Sequence, residues 1–279
     1  MDVGVTIFAT EYAIRIDELA REAEHRGFES LWVPEHTHIP TSRRSPFAGG
    51  APLPEEYKHT LDPFVSLMAA ASVTSRLKVG TGICLIIERD TITTAKSVAS
   101  LDLLSNGRFL FGIGGGWNAE EMEHHGTEFK TRFTRMREQV LAMKEIWTKD
   151  VAEFRGEHVH FDPIWAWPKP VQKPNPPVLL GGESGHTLQR VVDFCEGWFP
   201  RARNIDAVVT GMADLKQRAA KAGRDMKTIS VSVFGLAKPD RVTLDRLASI
   251  GVTRTILRLP SEGRDTILPL LDQYAKLRG

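Results

Sequence analysis

The chain has 279 residues, 42 % hydrophobic and 25 % charged, with 36 basic against 35 acidic side chains and a formal charge of +1. That length and apolar content build either one large α/β barrel or two ordinary domains. The near-balanced charge, with basic residues densest only at Arg43-Arg44 and between Arg201 and Arg203, argues against nucleic acid as a partner.

Strand and helix patterns then alternate along the chain. Strands are predicted over 3–8, 30–34, 78–87, 108–113, 177–180, 197–200, 228–236 and 253–259. Helices are predicted over 13–25, 63–74, 91–104, 131–148, 184–195, 205–222, 240–250 and 264–277. Gly27, Gly223 and Gly251 follow helix patterns, where a left-handed residue ends the last turn. Eight strand–helix pairs in this length predict a TIM-like (β/α)8 barrel occupying 1–279 as one domain. A doubly wound open sheet is the alternative; it more often carries its glycines in the first unit, and the turn Ala9-Thr10-Glu11 has none. Two insertions interrupt the rhythm. One is a polar loop over 37–61 after strand 2. The other, over 152–176 between strands 4 and 5, opens with a hairpin pattern and contains Trp165 and Trp167.

The stretch 77–118 marks the site. Its first strand is almost wholly apolar, and its second ends in Gly114-Gly115-Gly116-Trp117. Glycines at the carboxyl end of a parallel strand let a ligand approach the backbone, and barrel sites are built at that end. Gly181-Gly182-Glu183-Ser184-Gly185 precedes a helix pattern, which makes either an anion-binding turn or a plain serine-capped one. The run Gly112 to Gly116 fails as a dinucleotide fingerprint because Trp117 replaces the third glycine. Cys84 and Cys195 stand far apart in apolar surroundings, so no disulfide is expected and the compartment reads as reducing. The opening MDVGVTIFA lacks a secretory-signal layout, and no apolar run approaches the ~20 residues that span a bilayer. A soluble, cytoplasmic protein without membrane partners is expected.

The segments FESLWVPEHTH, LKVGTGICL, AKSVASLDLLSNGRFLFGIGGGWNAEE and PPVLLGGESGHTLQRVVDFCEGWFP appear in this order within the first 200 residues. In them the chain resembles the bacterial-luciferase-like flavin and deazaflavin oxidoreductases, in particular their coenzyme F420-dependent branch. The last third is similar only in its barrel rhythm. The resemblance implies a hydride transfer between F420 and a small organic substrate, carried out by a homodimer. It places Glu35 and His36 beside the ring as catalytic residues, His36 as a hydrogen-bond or proton donor. It places Thr81, Gly82 and Ile83 behind the ring, with a cis peptide at Gly82–Ile83, and Gly181, Gly182, Ser184 and Gly185 around the cofactor phosphate. The substrate pocket would hold His38, Cys84 and Trp117, with the loop over 37–61 as its cover and Trp165 and Trp167 as further contributors.

Trp117 is equally readable as a core aromatic at a helix start, and a buried free cysteine such as Cys84 is usually inert packing. Trp117 also stands where sugar-phosphate dehydrogenases of the family carry a catalytic glutamate, which argues against that reaction. Aromatic and apolar lining points away from a highly charged substrate. The alternatives are an FMN-dependent monooxygenase of the same superfamily, a metal-dependent hydrolase built on His36-Thr37-His38, and a non-catalytic flavin-binding barrel. No metal is expected, since the strand ends after Ile113 and Leu259 offer no further ligands.

Overall fold

Each predicted β/α unit is present in the computed structural model, which describes residues 1–278. The first half runs β1 (Asp2–Thr6), α1 (Ile16–His25), β2 (Ser30–Val33), α2 (Pro63–Ser72), β3 (Lys78–Thr81), α3 (Thr91–Leu104) and β4 (Phe109–Ile113). Then come α4 (Ala119–His124), α5 (Arg132–Thr148) and the hairpin β5 (Val151–Arg155) and β6 (His160–Trp165). The second half runs β7 (Val178–Gly181), α6 (Gly185–Phe194), β8 (Gly197–Phe199), α7 (Ile205–Lys221), β9 (Ser230–Leu236), α8 (Arg241–Ser249), β10 (Arg254–Arg258) and α9 (Arg264–Ala275). All strands but the hairpin pair close into a parallel barrel, ordered β1-β10-β9-β8-β7-β4-β3-β2. The expected (β/α)8 barrel is therefore what forms, with β5 and β6 as a separate two-stranded sheet.

Side-chain caps set several helix starts. Asp62, Asp90, Ser184, Asn204 and Asp240 each accept a first-turn N–H of the helix that follows. Inside the barrel Trp32, Leu110, Leu179, Phe199 and Ile256 pack as one layer. Its floor is charged: Arg254 Nε lies 2.6 Å and Lys78 Nζ 2.9 Å from Glu29, while Arg254 Nη1 lies 2.9 Å from Ser232. Glu29 precedes β2, and Lys78 and Arg254 begin β3 and β10, so this plug closes the amino end and leaves the carboxyl ends open.

Three differences from the sequence expectation bear on the site. The strand expected over 78–87 ends at Thr81, because the chain turns at Gly82 and then makes a single bridge from Cys84 to Ile113. A short 3-10 turn, Ile86–Glu88, follows where strand was expected. Helix α4, six residues too short to carry a periodic signal, was not anticipated. Among the described residues no helix is long and apolar enough to cross a membrane.

Candidate active site

The carboxyl ends of the barrel strands surround a cavity of about 530 Å³. Phe8 after β1, Glu35 and His36 after β2, Gly82 and Ile83 after β3, and Gly114 to Trp117 after β4 line one side. Gly181 to Ser184, Arg201, Arg203, Phe234 and Arg258 line the other. The loop over 37–61 contributes Phe47, Ala48 and Tyr57 to the lining. Phe47 sits edge-on to both Tyr57 and Trp117, at centroid distances of 5.1 and 5.7 Å.

The Gly82–Ile83 peptide is cis, as the resemblance implied. A Cβ on Gly82 would stand 2.5 Å from Phe234, and one on Gly115 would stand 2.6 Å from Phe133. A side chain at either position would collide with these rings, so the glycines let the backbone approach Phe234 and Phe133 closely.

His36, after β2, lies on this same side of the cavity. Its Nδ1 lies 2.8 Å from Glu121 Oε2 and 3.1 Å from Oε1. The ring is 9 % exposed and Glu121 fully buried. Asn118 Nδ2 also donates to Glu121, at 3.3 Å. A carboxylate at Nδ1 fixes the tautomer and leaves Nε2 for the cavity. Glu35 lines the cavity too, but its carboxylate is engaged elsewhere. It accepts the Leu85 N–H at 2.7 Å and Arg89 Nε at 2.5 Å, tying the end of β2 to the turn after β3. Arg89 also pairs with Asp62 at 2.6 Å.

The turn Gly181 to Ser184 gives the cavity a helix amino end. Ser184 caps α6 by accepting the Thr187 N–H at 3.2 Å, and its hydroxyl lies 3.0 Å from Thr187 Oγ1. The first N–H groups of α6 have no intrahelical acceptor, and the helix dipole favours an anion there. Gly182 holds φ +122°, and a Cβ on it would meet Thr187 Oγ1 at 2.8 Å. Glu183 within the turn is held by Arg201, through its backbone N–H at 2.8 Å and Nη2 at 2.9 Å. Burial alone would raise the Glu183 carboxyl, but those Arg201 hydrogen bonds hold it below the usual range. Arg203 lines this side too, with Arg201 held on Glu183 and Arg258 3.1 Å from Glu56, so charged groups stand here beside the expected apolar and aromatic lining.

Several expected residues lie elsewhere. Thr81 is fully buried and donates its hydroxyl to the Gly112 carbonyl at 2.7 Å, so it braces β3 against β4 from behind. Cys84 is fully buried in the core and does not line the cavity; burial pushes its thiol well up. Gly185 opens α6 behind the turn. His38 faces α4, its Nε2 2.8 Å from His124 Nδ1, while Thr37 Oγ1 lies 2.8 Å from His125 Nε2. Trp165 and Trp167 stand 82 % and 56 % exposed on and after the hairpin, away from the cavity. No group of three or more His, Cys, Asp or Glu side chains among the described residues is arranged to hold a metal ion. The reading of the sequence missed Glu121 as the partner of His36, and missed Arg89, Tyr57, Phe234 and Arg258. The one available signal for Glu121 was the acidic pair Glu120-Glu121 just past the glycine-rich strand end.

Residues 2–241 match the model of the luciferase-like monooxygenase family, and the chain belongs to that family. An uncharacterised protein of Mycobacterium tuberculosis is 41 % identical over 99 % of this chain and 98 % of its own. The F420-dependent hydroxymycolic acid dehydrogenase of the same species is 25 % identical over 85 % of this chain and 64 % of its own. An FMNH2-dependent dimethylsulfone monooxygenase of Pseudomonas fluorescens is 29 % identical over 79 % and 57 %. Among solved structures, monooxygenase RslO1 of Streptomyces bottropensis superposes with a TM-score of 0.80 at 18 % identity, covering 100 % of this chain and 98 % of its own. The F420-dependent tetrahydromethanopterin reductase of Methanopyrus kandleri gives 0.76 at 16 %, covering 99 % and 98 %. These two likenesses are of fold. Members of the family are oxidoreductases or monooxygenases that use F420 or FMN.

Proposed function

We propose that the protein is an F420-dependent oxidoreductase acting on a small organic substrate. When bound, the deazaflavin would supply the hydride chemistry. The chain's own residues fit such a group: Gly82, Ile83, Gly114 and Gly115 line the cavity where the ring would lie, and Gly181, Gly182 and Ser184 offer the helix amino end to its phosphate.

The observation that carries the reading is the His36–Glu121 pair on the cavity wall. Hydride transfer to a carbonyl or imine leaves negative charge that needs a proton. A histidine with a carboxylate at Nδ1 presents Nε2 to the cavity as the atom through which that proton would pass, and a group so placed contributes on the order of 10²–10⁴-fold. Tyr57, Phe47 and Trp117 exclude water from the same side. The preference for F420 over FMN follows the resemblance of the sequence segments and the similarity to the hydroxymycolic acid dehydrogenase. The second reading is an FMN-dependent monooxygenase, favoured by the similarity to the dimethylsulfone monooxygenases.

Titration with F420 and separately with FMN, read by tryptophan fluorescence, tests the choice. Tight binding of F420 alone supports the reading. Tight binding of FMN alone overturns it and makes oxygen consumption the next assay. We propose a cytoplasmic homodimer as the working state, with the exposed Trp165, Trp167 and Val171 as the apolar surface it would cover.

A further inference from the structure

Glu88 ends the 3-10 turn after β3 and is 7 % exposed. Neither of its carboxyl oxygens has a donor within hydrogen-bond distance. An ionised carboxylate left that way in an apolar setting is so costly that the group takes up a proton instead. The turn packs against α4, and the Glu121 carboxyl on that helix is the charge that acts on Glu88 most strongly. Glu121 is itself fully buried and already accepts from His36 Nδ1 and Asn118 Nδ2. Two carboxyl groups in contact can bond only if one of them carries a proton.

The charges around the turn point the same way. From the end of β2 comes Glu35, from α4 Glu121, and from the chain itself Arg89. The Arg89 guanidinium is shared between Glu35 and Asp62, so little of it is left for Glu88. Helix α5 packs the uncharged Gln139 on the turn, its Nε2 2.8 Å from the Ile86 carbonyl. Burial first, then the charges of Glu121 and Glu35, push the Glu88 carboxyl up to about 9, against the pull of Arg89.

We propose that Glu88 and Glu121 share one proton, so that the acid–base unit behind the cavity is a chain of three, His36–Glu121–Glu88. Glu88 is a positioning residue in it. Its O–H donates to Glu121 and holds that carboxylate toward His36 Nδ1. The pair carries one negative charge in place of two. No proton leaves Glu88 when one passes through His36 Nε2; the Nδ1 side of the ring stays bonded to Glu121 throughout. The consequence for catalysis rests on the function proposed above, whereas the shared proton does not, so the test needs no cofactor.

Infrared spectra of the purified protein in D2O, taken across pH 6 to 10, read the carbonyl stretch of a protonated carboxyl group. The expected result is a band present at pH 7 that titrates away near pH 9 and is missing in Glu88→Gln. In Glu121→Gln the neighbouring negative charge is gone and an amide N–H faces Glu88. Loss of the band should then move down by about one pH unit or more. A wild-type protein with no such band at pH 7, a band that survives Glu88→Gln, or a midpoint unmoved by Glu121→Gln overturns the proposal. Should Glu88→Gln not fold, carboxyl-labelled glutamate in the wild-type chain makes the same test by NMR. One carboxyl carbon must then keep its protonated shift up to about pH 9. If F420 fails to bind while the band behaves as expected, the shared proton stands and the cofactor assignment falls.

Discussion

His36 touches the cavity through one ring nitrogen and the protein through the other, so its removal separates proton handling from cofactor binding. His36→Ala should lower turnover by about 10²–10⁴-fold and change cofactor affinity little, as read by rapid-mixing kinetics beside a binding titration. Turnover equal to wild type would remove the ring from the mechanism. Glu88 makes a second prediction at this scale. Its carboxyl lies near 9 in the fold against an ordinary value of 4.5. The folded state therefore holds one more proton than the unfolded chain between those values, and stability falls as pH rises through that window. The slope is at most about 1.4 kcal/mol per pH unit. Glu88→Gln should flatten it, with midpoints from urea denaturation at pH 5, 7 and 8.5 as the measurement. His36 was legible in the sequence because it directly follows an apolar strand and precedes a long loop. Glu121 was not, because its meaning lies in a contact with a ring 85 residues away, nor was Glu88, whose burial without a hydrogen-bond donor only the fold decides. Cys84 shows the opposite error: its place beside the turn after β3 suggested the cavity, and packing against Ile113 put it in the core.

At the scale of elements, the turn between β7 and α6 is where a glycine is required. Gly182 holds a positive φ and a Cβ on it would meet Thr187, so a side chain there is strained and pushes into the helix start. Gly182→Asp adds a negative charge to that strain at the anion-favouring end of α6. Cofactor affinity should drop by on the order of 10-fold or more, since opposing charge at a helix end and steric blockage act together. The far-ultraviolet circular dichroism should stay that of a folded barrel, and unchanged affinity would remove this turn from the cofactor site. Helix and strand positions were legible throughout because apolar periodicity is a local property. The early end of β3 was not. The segment after Thr81 is as apolar as a strand, but its residues pack in a turn beneath Glu35 and α5, and only those neighbours distinguish the two.

For the whole molecule, the charged floor of the barrel governs behaviour in acid. Burial opposes ionisation of Glu29, but the Arg254 guanidinium, with Ser30 and Lys78, overrides it and holds the carboxyl at about 2. The fold depresses this group, so its contribution is complete above about 4.5 and is lost as pH falls toward 2. The difference is worth about 3 kcal/mol. Thermal melts from pH 5 to pH 2.5 should show Tm falling, and Glu29→Gln should lower Tm at pH 5 while weakening that dependence. A variant as stable as wild type at pH 5 would show the ion pair to be without net effect. The proposed dimer belongs to this scale also. Trp165→Arg should shift sedimentation toward the monomer, and an unchanged sedimentation coefficient would place the contact elsewhere or leave the chain monomeric.

The chain alone determined the alternation of strands and helices, the glycine-rich strand end, the helix-capping turn at Ser184 and the histidine after β2. Each of these is written in neighbouring residues, through periodicity, backbone freedom or a capping hydroxyl. Closure of the barrel decided the rest. It brought Arg254 to Glu29 across 225 positions and carried Glu121 to His36. It also moved His38 and the two insert tryptophans away from the cavity and placed Arg258 on its rim. Hydrogen bonds and charge pairs between distant residues depend on which side chains the fold makes neighbours, and no local pattern in the chain encodes that.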